Sequence, residues 1–191
     1  MIKAIIFDFG GVVGNDPGWL WLQEVHPQAK KRRKYIQNLA EKSDTAEISS
    51  DEFAQLLAEE TDIPADKIWP AVLKKTIVNE DILHLVGQLK KNYSVGMLTN
   101  FNEWFNDIVN RYKLGDNFDP IIVSYKYKVV KPQPEAFRIA LSNMNIQPYE
   151  AIFIDDKRRN VIGAKKVGLN SVVFTTTDNL VKKLKKIGVQ F

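Results

Sequence analysis

Five short apolar runs set the frame of this chain: IKAIIF (2–7), YSVGMLT (93–99), DPIIVS (119–124), AIFID (151–155) and SVVFTT (171–176). Each is bounded by turn residues and lacks the strict polar alternation of a half-exposed strand. Each therefore reads as a strand buried on both faces, which is the habit of parallel sheets. Between the later runs lie segments with helical spacing at 101–113, 133–143 and 158–166, with Pro134 suited to a first helical turn and Gly168 to a C-terminal cap. Strand alternating with helix predicts an α/β fold, a Rossmann-like doubly wound parallel sheet whose ligands gather at the carboxyl ends of the strands.

No convincing strand lies between the first two runs. That stretch reads as helices near 28–42, 50–60 and 65–76, then one near 80–91 leading back to the sheet. Ser49 and Glu52 offer a capping box, and Pro64 suits a helix start. The expected organisation is a core of residues 1–15 and 80–191 with an inserted helical cap, 16–79, standing over the strand ends. The stretch NDPGW (15–19) reads as the hinge into the cap.

A chain of 191 residues, 45% apolar and 26% charged, suits one such domain. It contains no cysteine, which excludes disulfides, zinc-thiolate sites and a thiol nucleophile. Any nucleophile is then a carboxylate, hydroxyl or amine. The first apolar run is too short to span a membrane and is broken by Asp8 and Gly10-Gly11; neither a cleavage site nor a basic leader beyond Lys3 accompanies it. A soluble, cytoplasmic protein without a membrane partner is expected. The net charge of +4 is bunched in KKRRK (30–34) and KKLKK (182–186). The apolar spacing of Tyr35, Ile36 and Leu39, and of Leu180, Leu184 and Ile187, makes these the solvated faces of helices, so no nucleic-acid partner is expected. His26 and His84 have no partners at metal-ligand spacing. Trp19, Trp21, Trp104 and Phe105 read as packing between cap and core, with a pocket wall as the alternative.

The chemistry-bearing residues sit at the strand ends. Asp8 ends the first strand, Thr99 and Asn100 the second and Asp155-Asp156 the fourth, while Lys131 follows the third. Taken singly, Asp8 reads as a turn cap, Thr99-Asn100 as a helix cap, Lys131 as a surface lysine and the acidic pair as a helix start. Their placement at one sheet edge changes the reading. A carboxylate nucleophile, a hydroxyl, an ammonium and an acidic pair form the set that phosphoryl transfer needs. Mg²⁺ suits one or two carboxylates plus phosphate and water, and shields the repulsion between nucleophile and phosphate. Gly10 and Gly11 let the backbone turn closely there.

The stretches DFGGV, MLTN, KPQPEAF and FIDDKRRNVIGAKKVGL, in this order and spacing, resemble the four motifs of the haloacid dehalogenase-like (HAD) hydrolase superfamily, in the small helical-cap branch with a DxG first motif. The resemblance covers the whole chain. It implies Asp8 as nucleophile and the Gly10 carbonyl as a metal ligand. It implies Thr99 and the neighbouring Asn100 amide as phosphate binders, and Lys131 as the bridge between phosphate and nucleophile. Asp155 and Asp156 would position Mg²⁺, and Asn160 would support their loop. The implied reaction is Mg²⁺-dependent hydrolysis of a small phosphorylated metabolite, a sugar, acyl or aryl phosphate, through an aspartyl-phosphate.

One departure matters. Most phosphatases of that superfamily carry a second aspartate two residues after the nucleophile, as general acid and then base; here the position is Gly10. Loss of such a group costs about 10²–10⁴-fold. Three readings remain open: a phosphatase for esters whose leaving group needs little protonation, with Asp16 as one substitute base; a metal-independent 2-haloacid dehalogenase; and a catalytically degenerate binding module. The acidic pair speaks against the second, because unneutralised carboxylates repel an anionic substrate.

Overall fold

In the computed structural model, which describes residues 1–191, the apolar runs form one sheet. Its strands are β1 (Ala4–Phe7), β2 (Ser94–Thr99), β3 (Ile121–Val123), β4 (Ala151–Asp155) and β5 (Asn170–Val173). They lie in the order β3-β2-β1-β4-β5, and every pairing is parallel. The chain builds outward from β1 through β2 to β3 and then returns to the other side of β1 for β4. The strand order therefore reverses beside β1, and the crevice at its carboxyl end is the natural ligand position.

Between β1 and β2 stand α1 (Pro17–Val25), α2 (Ala29–Asp44), α3 (Ser50–Thr61) and α4 (Ala65–Lys74), followed by α5 (Glu80–Leu89). The first four share an apolar cluster of their own, built on Trp21, Leu22, Ile36, Leu39, Phe53, Leu57, Ile68 and Val72. After β2 comes α6 (Phe105–Tyr112), after β3 come α7 (Ser124–Tyr127) and α8 (Pro134–Met144), and α9 (Arg158–Lys166) and α10 (Thr177–Lys186) follow β4 and β5. The two-residue period of the strands divides the core. Ile5, Phe7, Val95, Met97, Ile152 and Ile154 face α5, α6 and α10. Ile6, Leu98, Ile122 and Phe153 face Phe137, Ala140 and Leu141 of α8 and Ala164 of α9. Helices on both faces make the sheet doubly wound. No helix is long and apolar enough to cross a membrane.

Several elements depart from the sequence reading. Within the stretch expected to lead into the cap, α1 already begins: Asp16 accepts a hydrogen bond from the Trp19 N–H at 3.0 Å, with Pro17 in the first turn. The helix expected from residue 101 begins at Phe105, because the preceding backbone is held in a turn. There Ser124 Oγ accepts from the Phe101 N–H and Asn102 Oδ1 accepts from the Trp104 N–H. The third run leaves the sheet at Val123 to enter α7, and the fifth at Val173; Thr176 caps α10 by accepting the Asn179 N–H at 3.2 Å. Of the expected capping box, Ser49 Oγ accepts the Glu52 N–H at 3.0 Å. Tyr35 and Ile187, expected on apolar helix faces, are exposed.

Candidate active site

The register of β1 against β4 pairs Phe7 with Ile154, so the next residue of each strand, Asp8 and Asp155, stand side by side. The Asp8 N–H donates to the Ile154 carbonyl at 2.9 Å, and the Asp8 carboxylate accepts the Phe9 N–H at 2.7 Å. Lys131 reaches both acids. Its Nζ lies 2.7 Å from Asp8 Oδ1 and 2.9 Å from Asp155 Oδ2, and donates to the Leu98 carbonyl at 2.8 Å. Its side chain is 1% exposed, so the ammonium is wholly engaged inside the protein. Asp155 is further held by Asn160 Nδ2 at 2.9 Å and by the Lys157 N–H at 2.7 Å.

Burial and pairing pull these groups in opposite directions. Burial raises the Asp8 carboxyl to about 7 even against the adjacent Lys131 ammonium, with the Asp155 charge adding to the rise. Burial also pushes on Asp155, but Lys131 and the hydrogen bonds it receives hold its carboxyl below the ordinary value. Lys131 shows the converse: burial pulls it down, yet Asp8 and Asp155 keep it above the usual lysine range. Partial burial raises Asp156.

Asp8, Asp155 and Asp156 each offer an oxygen within 4.8 Å of the others'. This hard, all-oxygen donor set fits Mg²⁺. Two further observations agree with it. Asn160 Oδ1 is buried without a protein partner and needs a donor, of the kind a water on a cation supplies. Gly11 has φ +79° and a Cβ there would stand 2.6 Å from the Asp156 carboxyl carbon, so only glycine lets that acid press against the loop. Gly10 differs from its neighbour, since nothing lies within 4 Å of a Cβ placed on it.

Thr99 ends β2 as a buried hydroxyl facing the same cavity as Asp8, Gly10 and Lys131. Asn100 follows, but its side chain is not free for a ligand. Its Oδ1 accepts the Lys131 N–H at 2.8 Å and its Nδ2 donates to the Lys131 carbonyl at 3.0 Å. The side chain thus locks the backbone that carries Lys131.

The cavity, about 540 Å³, runs from these strand ends under α1, α2 and α4. Its wall includes Trp19, Trp21 and Trp104, whereas Phe105 is buried in the core. Trp104 also stacks on Trp69 of α4 with ring centroids 5.0 Å apart, so it both packs the two layers and lines the space between them. The basic run at 30–34 is not only a solvated face: Arg33 and Lys34 border the cavity, Arg33 lies over the Trp19 ring, and Arg32 pairs with Glu60. His26 accepts the Gln28 N–H, and His84 meets Gln88 on its own helix, so neither joins the site.

Three participants escaped the sequence reading. Asn102 Nδ2 donates to Ser43 Oγ at 2.9 Å, a buried link between the loop after β2 and the end of α2, and next to Ser43 the Asp44 side chain borders the cavity. Nothing local marks Ser43, whose partner lies 59 residues away, or Asp44, which reaches the cavity only through the placement of α2.

Known proteins share this fold and family. The family model described as haloacid dehalogenase-like hydrolase matches residues 5–174. The chain is 24% identical over 189 residues to the D-ribitol-5-phosphate phosphatase of Bacteroides thetaiotaomicron, covering 90% of this chain and 91% of that one. It is 25% identical over 134 residues to the bifunctional epoxide hydrolase 2 of Rattus norvegicus, an alignment covering 65% of this chain and only 24% of the length of that relative. Among solved structures, a haloacid dehalogenase family enzyme of Bacteroides thetaiotaomicron in complex with magnesium and inorganic phosphate superposes with a TM-score of 0.79 at 23% identity, covering 92% of this chain and 95% of that one.

Proposed function

The chain belongs to the haloacid dehalogenase-like hydrolases, and from that membership and the geometry of its strand ends we propose that it is a Mg²⁺-dependent phosphatase of small phosphate monoesters. The observation that carries the reading is the buried Asp8–Lys131–Asp155 chain, with Asp156 completing an oxygen cluster beside it. A metal-free dehalogenase has no use for three carboxylates crowded within 4.8 Å.

Asp8 attacks phosphorus through a carboxylate oxygen and the ester oxygen leaves, giving an aspartyl-phosphate that water then cleaves to inorganic phosphate. Lys131, its three donors taken by Asp8, Asp155 and the Leu98 carbonyl, keeps Asp8 oriented and supplies positive charge beside it, while the Thr99 hydroxyl and the Asn100 main-chain amide bind the phosphoryl oxygens. Asp8, Asp155, Asp156 and the Gly10 carbonyl would hold Mg²⁺, which when bound neutralises phosphoryl charge and favours the ionised form of Asp8. Residues 16–79 act as a cap that walls the cavity, excludes water and admits a metabolite rather than a macromolecule. The phosphatase-named relative with matching coverage acts, by its name, on a pentitol phosphate, and a sugar-type phosphate is the substrate class this reading favours.

The test is phosphate release from sugar, acyl and aryl phosphates with and without Mg²⁺, with Asp8→Asn as the blank. Mg²⁺-dependent release that the variant loses is the expected result. Equal release by Asp8→Asn, or metal-independent halide release from a 2-haloacid, would overturn the reading.

A further inference from the structure

We propose that Asp44, carried on α2 rather than on the sheet, is the proton donor and then the proton acceptor of the reaction, in place of the side chain that Gly10 lacks. The inference rests on the phosphatase reading above and supplies its missing half.

The space beside the nucleophile is open: no atom lies within 4 Å of a Cβ at Gly10. Asp44 borders the same cavity as Asp8, Gly10, Thr99 and Lys131. Its position is held, because the neighbouring Ser43 Oγ accepts the buried hydrogen bond from Asn102, three residues beyond Thr99 on the same loop. The charges acting on Asp44 come from three elements: Lys157 after β4, whose N–H is bound to Asp155, Glu41 one turn back on α2, and Asp16 at the start of α1.

The same surroundings favour the protonated acid. Burial is the main cause and raises the Asp44 carboxyl to about 8, with Lys157 opposing and Glu41 and Asp16 adding. As the last residue of α2 it also sits at the negative end of the helix, which disfavours an anion. A general acid works best with a pKa near the operating pH. Of the other two acids on α1 and α2 that border the cavity, Asp16 is committed to capping α1 through the Trp19 N–H and Glu41 is exposed to solvent.

The proton balance closes. As Asp8 bonds to phosphorus and the P–O ester bond breaks, the Asp44 carboxyl passes its proton to the leaving oxygen, giving an alcohol and the Asp44 carboxylate. That carboxylate then takes a proton from the water that attacks the aspartyl-phosphate, which restores both acids and releases phosphate.

The experiment compares wild type with Asp44→Asn by rapid-quench kinetics in Mg²⁺, on glycerol 3-phosphate, whose alkoxide needs a proton, and on acetyl phosphate, whose acetate does not. Asp44→Asn is expected to slow the glycerol 3-phosphate burst by about 10²–10³-fold and the acetyl phosphate burst by less than about tenfold. Gly10→Asp added to Asp44→Asn is expected to return at least about tenfold of the first loss. In wild type the alkaline fall of kcat/KM near the titration of Asp44 is expected with glycerol 3-phosphate and not with acetyl phosphate, a comparison that stands even if the variant folds poorly. Equal losses on the two substrates, no loss, or the same alkaline limb for both would overturn the role of Asp44 and leave the phosphatase reading intact. If wild type releases no Asp8-dependent phosphate from either, both fall together.

Discussion

Replacing Lys131 with methionine removes the cation between two buried carboxylates, and the cost follows from what stays behind. The ammonium makes contacts of 2.7 Å to Asp8, 2.9 Å to Asp155 and 2.8 Å to the Leu98 carbonyl. Methionine keeps most of the aliphatic stem, so lost packing is a minor part. Removing one partner of a buried ion pair costs about 3–5 kcal/mol. At roughly 2–4 °C of Tm per kcal/mol for a chain of this size, the melt should fall by roughly 6–20 °C. The deficit has a definite pH dependence. In wild type the Asp155 carboxyl lies below its ordinary value despite burial, so its contribution is complete above the unfolded pKa of about 3.9 and is lost as pH falls through the folded value. Lys131, held above its ordinary value despite burial, contributes fully below the unfolded lysine pKa of about 10.4. Both contributions are therefore complete at pH 7. Without Lys131 the two acids ionise at a cost that acid relieves. The gap between wild type and Lys131→Met, measured by thermal melts in EDTA, should be large at pH 7 and shrink as pH falls, the Asp8 share going around its folded value of about 7 and the Asp155 share through its low folded value; adding Mg²⁺ at pH 7 should narrow it. Equal melting temperatures at pH 7, or a deficit independent of pH, would refute the reasoning.

Gly11→Ala places a Cβ 2.6 Å from the Asp156 carboxyl at φ +79°; it should lose about 1–2 kcal/mol in urea melts and about 10–100-fold in Mg²⁺ affinity by titration, whereas Gly10→Ala should melt within about 0.5 kcal/mol of wild type. Asn160→Ala removes the 2.9 Å hydrogen bond to Asp155 Oδ2 and should cost about 1.5–3 kcal/mol by chemical denaturation. Asn102→Ala leaves Ser43 Oγ without its buried donor; it should cost about 1–3 kcal/mol and lower kcat on glycerol 3-phosphate more than on acetyl phosphate, since it loosens the end of α2 that carries Asp44.

Much of the core was legible because a strand buried on both faces needs an apolar run, and such a run can be read without its neighbours. β4 ends at Asp155 as expected, and α9 spans the anticipated residues. Elements were misplaced where a long-range contact outweighed local pattern. Ser124 holds the Phe101 backbone out of the helix that the spacing suggested.

The sequence by itself determined that Asp8, Thr99, Lys131 and Asp155 meet, because parallel strands bring their carboxyl ends to one edge and each residue sits at or just beyond such an end. Tertiary structure alone decided what each of them is free to do. The Asn100 side chain is spent on the backbone of Lys131, Gly10 faces open space while Gly11 is pressed against Asp156, and Asp44 borders the same cavity as Asp8. The physical reason is that periodicity records which face of an element is buried, whereas desolvation, charge pairing and steric room depend on what that face is buried against.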